Sequence, residues 1–162
     1  MPTLPFRDLR LDPRLIRSIE HLGFTQPTPI QQEAVPAVMV GKDLIVSSKT
    51  GSGKTLAYLL PMMQRLLKSR ALSKQDARAL ILTPTRELAM QVADSFAAYG
   101  RYTGLKHLVV YGGVPYKVQT EALQTGIDIL VATPGRLLDL LDQGFVDLKQ
   151  VQLLVLDEAD RM

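Results

Sequence analysis

No cysteine occurs in the 162 residues. Disulfide frameworks, cysteine-ligated metals and thiol catalysis are therefore excluded. Tryptophan is absent too, and aromatic residues make up only 6%. The two histidines, His21 and His107, lie far apart and make no metal spacing. Neither sign of charge dominates: 19 Lys and Arg against 16 Asp and Glu leave +3. So weak a balance permits a nucleic-acid partner without arguing for one. Long apolar runs are missing as well. The richest window, Leu56 to Leu67, is broken by Pro61, Gln64 and Arg65 and cannot span a bilayer. Met1-Pro2-Thr3-Leu4-Pro5 shows no basic region followed by an apolar core, so no signal peptide is expected and a cytoplasmic protein is the default. What is present, 46% hydrophobic and 22% charged residues, suits one soluble domain with a real core.

After an extended lead-in over residues 1–12, Asp12-Pro13 opens a helix, with Asp12 as cap and Pro13 in the first turn. Leu15, Ile16, Ile19 and Leu22 share one face of it, and Gly23 closes it. Thr28-Pro29 opens a second helix towards Gly41. Apolar runs rich in Val, Ile and Leu then recur at 43–47, 79–82, 107–110, 127–131 and 151–156. Such continuous runs suit strands buried on both faces. Helical patterns fill the intervals at 54–69, 85–99, 115–124 and 134–143, with Pro61 expected to kink or interrupt the first. Ser69 to Arg78 is polar and reads as a surface loop. The alternation predicts an α/β domain with right-handed crossovers.

Ser48-Lys49-Thr50-Gly51-Ser52-Gly53-Lys54-Thr55 lies between the first apolar run and the first long helix. Glycines there let the backbone curl so that several N–H groups face one anion, and the helix start adds its positive end. Lys54 supplies charge for outer phosphates, and Thr55 a hydroxyl for Mg²⁺. One position departs from the phosphate-loop pattern: Ser48 stands where its first glycine belongs.

Two segments echo each other, Thr83-Pro84-Thr85-Arg86 and Thr133-Pro134-Gly135-Arg136, each after a buried-strand run. A cation in a first helical turn opposes the helix dipole. A bound anion would compensate it; so would a nearby carboxylate such as Glu87 or Asp139. Two copies at carboxyl ends of parallel strands favour a polyanion track. At the far end, the run 151–156 leads into Asp157-Glu158-Ala159-Asp160. Mg²⁺ is usually held through one or two carboxylates plus phosphate oxygens, and Asp157 is placed for that. Glu158 reaches further, which suits orienting or deprotonating a water. Helix capping by Asp157 or Asp160 is the plainer alternative.

Taken in order, Phe6 with Gly23 to Gln31, Ser48 to Thr55, Pro84-Thr85-Arg86-Glu87-Leu88, Gly112-Gly113, Thr133-Pro134-Gly135-Arg136 and Asp157-Glu158-Ala159-Asp160 form an ordered set of six motifs. From about Phe6 to Met162 the chain resembles the first RecA-like domain of DEAD-box RNA helicases. The resemblance implies a RecA-like P-loop NTPase domain: a mostly parallel central sheet with helices on both faces, incomplete at the C-terminus. Residues 1–41 would form a lead-in with N-terminal helices, and 42–162 a partial ATP-binding domain. Phe6 would stack on adenine and Gln31 would hydrogen-bond its edge, although Thr28 and Gln31 also fit a capping box. Residues Ser48, Lys49, Thr50, Gly51, Ser52, Gly53, Lys54 and Thr55 would hold the ATP phosphates. Thr55 and Asp157 would hold Mg²⁺, partly through water, with Lys54, Asp157 and Glu158 catalytic. Pro84, Thr85, Arg86, Gly112, Gly113, Thr133, Gly135 and Arg136 would line the RNA backbone, tolerant of sequence. The family usually has Ala and Gln where Ser48 and Lys49 stand, so a shifted nucleotide affinity is expected.

The same resemblance implies a Ser-Ala-Thr motif and a second RecA-like domain as partner, neither of which is in this sequence. It also implies a strand between the phosphate-loop strand and the acidic-motif strand. The 162 residues alone are therefore expected to be poorly stable and not to hydrolyse ATP. The function implied is RNA-stimulated ATP hydrolysis coupled to local unwinding. An ATP-dependent RNA clamp, an unrelated P-loop kinase and a DNA substrate stay open as alternatives. No membrane association or oligomer is indicated.

Overall fold

The computed structural model describes residues 4–69 and 76–162. Part of the expected Ser69–Arg78 loop, residues 70–75, lies outside the described residues, as do the first three of the lead-in. Two compact units emerge. One takes in the described residues up to Ser69 together with Ser95–Gly104; the other takes in those from Asp76 to Asp94 together with Leu105–Met162.

In the first unit a 3₁₀ turn, Phe6–Leu9, precedes α1 (Pro13–His21), α2 (Pro29–Met39) and α3 (Lys54–Lys68). Asp12 caps α1 as expected, its carboxylate accepting from Arg14 N–H at 2.9 Å. The Asp12 N–H donates to Oε1 of buried Gln64 at 2.5 Å, which ties the start of α1 to α3. Of the predicted α1 face, Leu15 and Ile19 are fully buried, Ile16 is half-buried and Leu22 is exposed. α2 packs on α3. Pro61 neither ends nor splits α3, which runs through it with Leu59, Leu60, Met62 and Met63 all buried. Burial of such side chains contributes about 1.5–3 kcal/mol each, enough to offset the roughly 3 kcal/mol of a helical proline.

The predicted strand over 43–47 does not form. Residues 42–49 carry no regular secondary structure and pair with no strand among the described residues, and Leu44, Ile45 and Val46 are exposed, Ile45 wholly so. Apolar side chains supply a reason for burial, but a strand also needs a ladder partner.

The second unit holds an all-parallel sheet of β1 (Ala79–Leu82), β2 (His107–Val110), β3 (Ile129–Ala132) and β4 (Leu153–Leu156), ordered β2-β3-β1-β4. Its helices include α5 (Tyr116–Gln124) and α6 (Pro134–Asp142), while α4 (Arg86–Tyr99) begins here. Leu80, Leu130, Val110, Leu123, Leu137 and Leu140 form one buried cluster. Ala79, Ile81, Ile129 and Val131, which alternate with them, are buried too, as continuous apolar central strands require. β4 differs: Leu154 and Leu156 are 59% and 52% exposed along a sheet edge. Beneath the strands, Arg78 Nη2 meets Asp128 Oδ1 at 2.8 Å, with the Arg78 side chain only 5% exposed. Asp128 Oδ2 accepts the Lys106 N–H at 2.8 Å, and its carbonyl accepts those of Arg78 and Ala79. One carboxylate thus fastens the entries of β1, β2 and β3.

Candidate functional site

In the first unit the phosphate-loop residues form a tight curl ahead of α3. Gly51 and Gly53 adopt φ of 81° and 90°, and Lys54 opens the helix. Lys54 Nζ turns back to donate to the Ser48 carbonyl at 3.0 Å, and the hydroxyl oxygens of Ser48 and Ser52 lie 2.6 Å apart. Lys49, Thr50 and Gly51 are exposed; Ser52 and Thr55 are half-buried.

Gln31 joins this loop. Its Oε1 accepts the Thr28 N–H at 2.9 Å, as the capping-box reading expects, while its Nε2 donates to the Gly53 carbonyl at 3.1 Å. The second bond was not foreseeable from spacing, because it spans 22 residues. Each end of the amide keeps one further hydrogen-bonding position, but Gln31 is 5% exposed, so a base edge reaches it only once the amide is uncovered. The Thr28 hydroxyl beside it is buried without a hydrogen-bond partner. Phe6 is 1% exposed, so stacking its ring on a base requires the lead-in to shift. A Cβ at Gly53 would run into the Gln31 amide. Gly53→Ala is therefore expected to cost about 1–2 kcal/mol from its left-handed backbone alone, read as a lowered urea midpoint.

In the second unit the predicted RNA-contact residues gather at the carboxyl edge of the sheet. Asp157 N–H donates to the Leu82 carbonyl, Thr83 N–H to Ala132 and Thr133 N–H to Val110, at 2.9, 3.0 and 3.1 Å. Both arginines of the Thr-Pro-x-Arg echo reach the loop around Gly112-Gly113. The Arg86 guanidinium lies 5.1 Å from the Tyr111 ring centre, and Arg86 Nη1 is 3.6 Å from where a Cβ would stand on Gly113. Arg136 Nη1 donates to the Val114 carbonyl at 2.8 Å and to Gln119 Oε1 at 2.9 Å, and its guanidinium lies 4.5 Å from the Tyr116 ring centre. No ion pair between Arg86 and Glu87, or between Arg136 and Asp139, occurs among the described residues. Aromatic faces, and for Arg136 a carbonyl and an amide, supply part of the compensation expected from an anion or a carboxylate. Burial first, and then Asp139 beside it, raises the Tyr116 phenol above its ordinary pKa of 10.0, so it stays protonated at neutral pH. Pro84, Thr133 and Arg136 are half-buried; Thr85, Arg86, Gly112, Gly113 and Gly135 are exposed.

Gln119, Tyr111 and Tyr116 were not singled out from sequence. Gln119 is 4% exposed, and its Nε2 donates to the Tyr111 carbonyl at 3.0 Å, so one amide braces both the glycine loop and Arg136. A glutamine within an otherwise core-facing helical pattern was the available signal. Gln119→Ala strands both partners and is expected to cost about 1–3 kcal/mol, measured by chemical denaturation.

After β4, Glu158 takes φ 51° and ψ 48°, a left-handed conformation uncommon for a non-glycine residue. It pairs with Arg161 at 3.3 Å, and Ala159–Arg161 form a short 3₁₀ turn. No cluster of three or more His, Asp or Glu able to cage a metal occurs among the described residues.

The model of the DEAD/DEAH box helicase family matches residues 28–162. The chain belongs to that family. ATP-dependent RNA helicase RhlB of Xanthomonas campestris is 47% identical over 163 residues, covering 98% of this chain and 28% of that protein. ATP-dependent RNA helicase DeaD of Mycobacterium tuberculosis is 44% identical over 158 residues, covering 97% of this chain and 27% of that protein. DEAD-box ATP-dependent RNA helicase 30 of Arabidopsis thaliana is 44% identical over 162 residues, covering 99% and 27%. The chain spans about a quarter of the length of these curated relatives. No helix among the described residues of this DEAD/DEAH-box chain is long and apolar enough to cross a membrane.

Proposed function

We propose that the chain is the part of a cytoplasmic RNA helicase that binds ATP and one side of an RNA strand. The observation that carries this reading is the phosphate loop. Two left-handed glycines lead into α3, Lys54 stands at its first residue, and Gln31 bonds directly to Gly53. Loop N–H groups and Lys54 bind the outer phosphates, and Thr55 and Asp157 carry Mg²⁺, which offsets phosphate charge when bound. Gln31 reads the adenine edge with its remaining donor and acceptor once its amide is uncovered, and Phe6 stacks on the base once the lead-in shifts. Glu158 accepts the proton of the attacking water.

Arg86, Gly112, Gly113, Arg136 and the neighbouring Pro84, Thr85, Thr133 and Gly135 take the RNA backbone. Phosphate and sugar contacts carry no base sequence, so binding tolerates sequence. A second RecA-like domain in the longer protein completes both sites, and its closure separates short duplexes. Phosphate release by the full-length protein, with and without single-stranded RNA, tests this. RNA-stimulated turnover that Lys54→Ala abolishes is the expected result; turnover indifferent to RNA removes the helicase reading.

A further inference from the structure

Two contacts converge on Ser48 from opposite sides of the loop. Its hydroxyl lies 2.6 Å from that of Ser52, and its carbonyl accepts Lys54 Nζ at 3.0 Å. The loop is closed on itself, and one of the three N–H groups of the Lys54 ammonium is turned to its own backbone. With the Ser48 and Ser52 hydroxyls paired and the Ser52 N–H on the Lys49 carbonyl, the span is held closed, and admitting a polyphosphate among the loop N–H groups requires it to open. The phosphate-loop pattern asks for glycine at this position, and a glycine has no hydroxyl to contribute.

We propose that Ser48 is a positioning residue: its hydroxyl latches the nucleotide-free phosphate loop shut and so weakens apparent affinity for nucleoside di- and triphosphates. The proposal rests on the ATP reading above. Only the fraction of molecules with an open loop binds, and the apparent dissociation constant rises in inverse proportion to that fraction. Ser48→Ala removes the hydroxyl pair yet keeps the main-chain carbonyl that Lys54 uses. It therefore isolates the latch from the lysine contact.

The net worth of one hydrogen bond sets the expected tightening at about two- to twelve-fold. Titration of the full-length protein with a fluorescent N-methylanthraniloyl ADP reads it, in wild type, Ser48→Ala, Ser52→Ala and the double variant. The latch predicts tighter binding in Ser48→Ala and no further gain when Ser48→Ala is added to Ser52→Ala. Equal or weaker binding in Ser48→Ala overturns it, since a hydroxyl that touches phosphate would be missed rather than relieved. A full gain from Ser48→Ala in the Ser52→Ala background also overturns it, because the pair would then not be the cause. Wild-type protein that binds no ADP removes the nucleotide reading itself, and the latch with it.

Discussion

In the full-length protein, Glu158→Gln is expected to lower ATP turnover by about 10²–10⁴-fold, the usual contribution of a general base, which is the role proposed for Glu158. Glutamine keeps the shape of the side chain and loses the capacity to take a proton. Little else holds Glu158 in place: its ion pair with Arg161 is largely exposed, and such pairs contribute about 0–1 kcal/mol. Its left-handed backbone, by contrast, is a standing strain of about 1–2 kcal/mol. Both facts separate a catalytic loss from a folding loss, because the substitution alters neither backbone nor volume. Steady-state phosphate release with RNA at saturation, together with an unchanged thermal midpoint, checks the prediction. Turnover at the wild-type rate would remove Glu158 from the reaction.

The largest effect on stability is expected at Asp128. Asp128→Ala removes the carboxylate that meets the buried Arg78 guanidinium and the Lys106 N–H, at a cost of at least about 1–3 kcal/mol. A small domain has only about 5–15 kcal/mol in all, so a loss of that size is readily measured. The exposed pairs Arg7–Glu20 and Lys149–Asp147 provide the contrast, and breaking either is expected to shift the urea midpoint little. A midpoint for Asp128→Ala within experimental error of wild type would show that the sheet entries are fastened by backbone bonds alone.

Much of the fold was legible in local pattern. The runs at 79–82 and 107–110 are strands with those bounds, and Asp12-Pro13 and Thr28-Pro29 open α1 and α2. Each of these signals is contained in a few neighbouring residues. The run at 43–47 misled because apolar composition reports a wish for burial and says nothing about a pairing partner. Pro61 does not interrupt α3 for a related reason: its local backbone cost is visible in the sequence, while the burial that outweighs it is not.

The candidate site divides the same way. Glycine conformation and the Lys54 helix start follow from the loop itself. The bonds from Gln31 to Gly53 and from Arg136 to Val114 each span 22 residues, and only the folded chain reveals them. Arg86 and Arg136 stand out in the sequence because they violate the dipole rule, yet their tyrosine partners lie elsewhere in the chain, Tyr111 after β2 and Tyr116 at the start of α5.

The strand order carries a consequence for timing. Among the described residues β1 is the first strand synthesised, yet β2 intervenes before either of its partners, β3 and β4. Pairing between such distant segments slows folding, because loop closure is opposed by entropy before any ladder bond offsets it. On a ribosome, β1 emerges with both edges open and stays so until Ile129 and then Leu153 arrive. An apolar strand exposed for that interval is open to association with other chains. The speed of translation between β1 and β4, and the chaperones that meet the chain there, therefore bear on yield as strongly as the stability of the finished sheet.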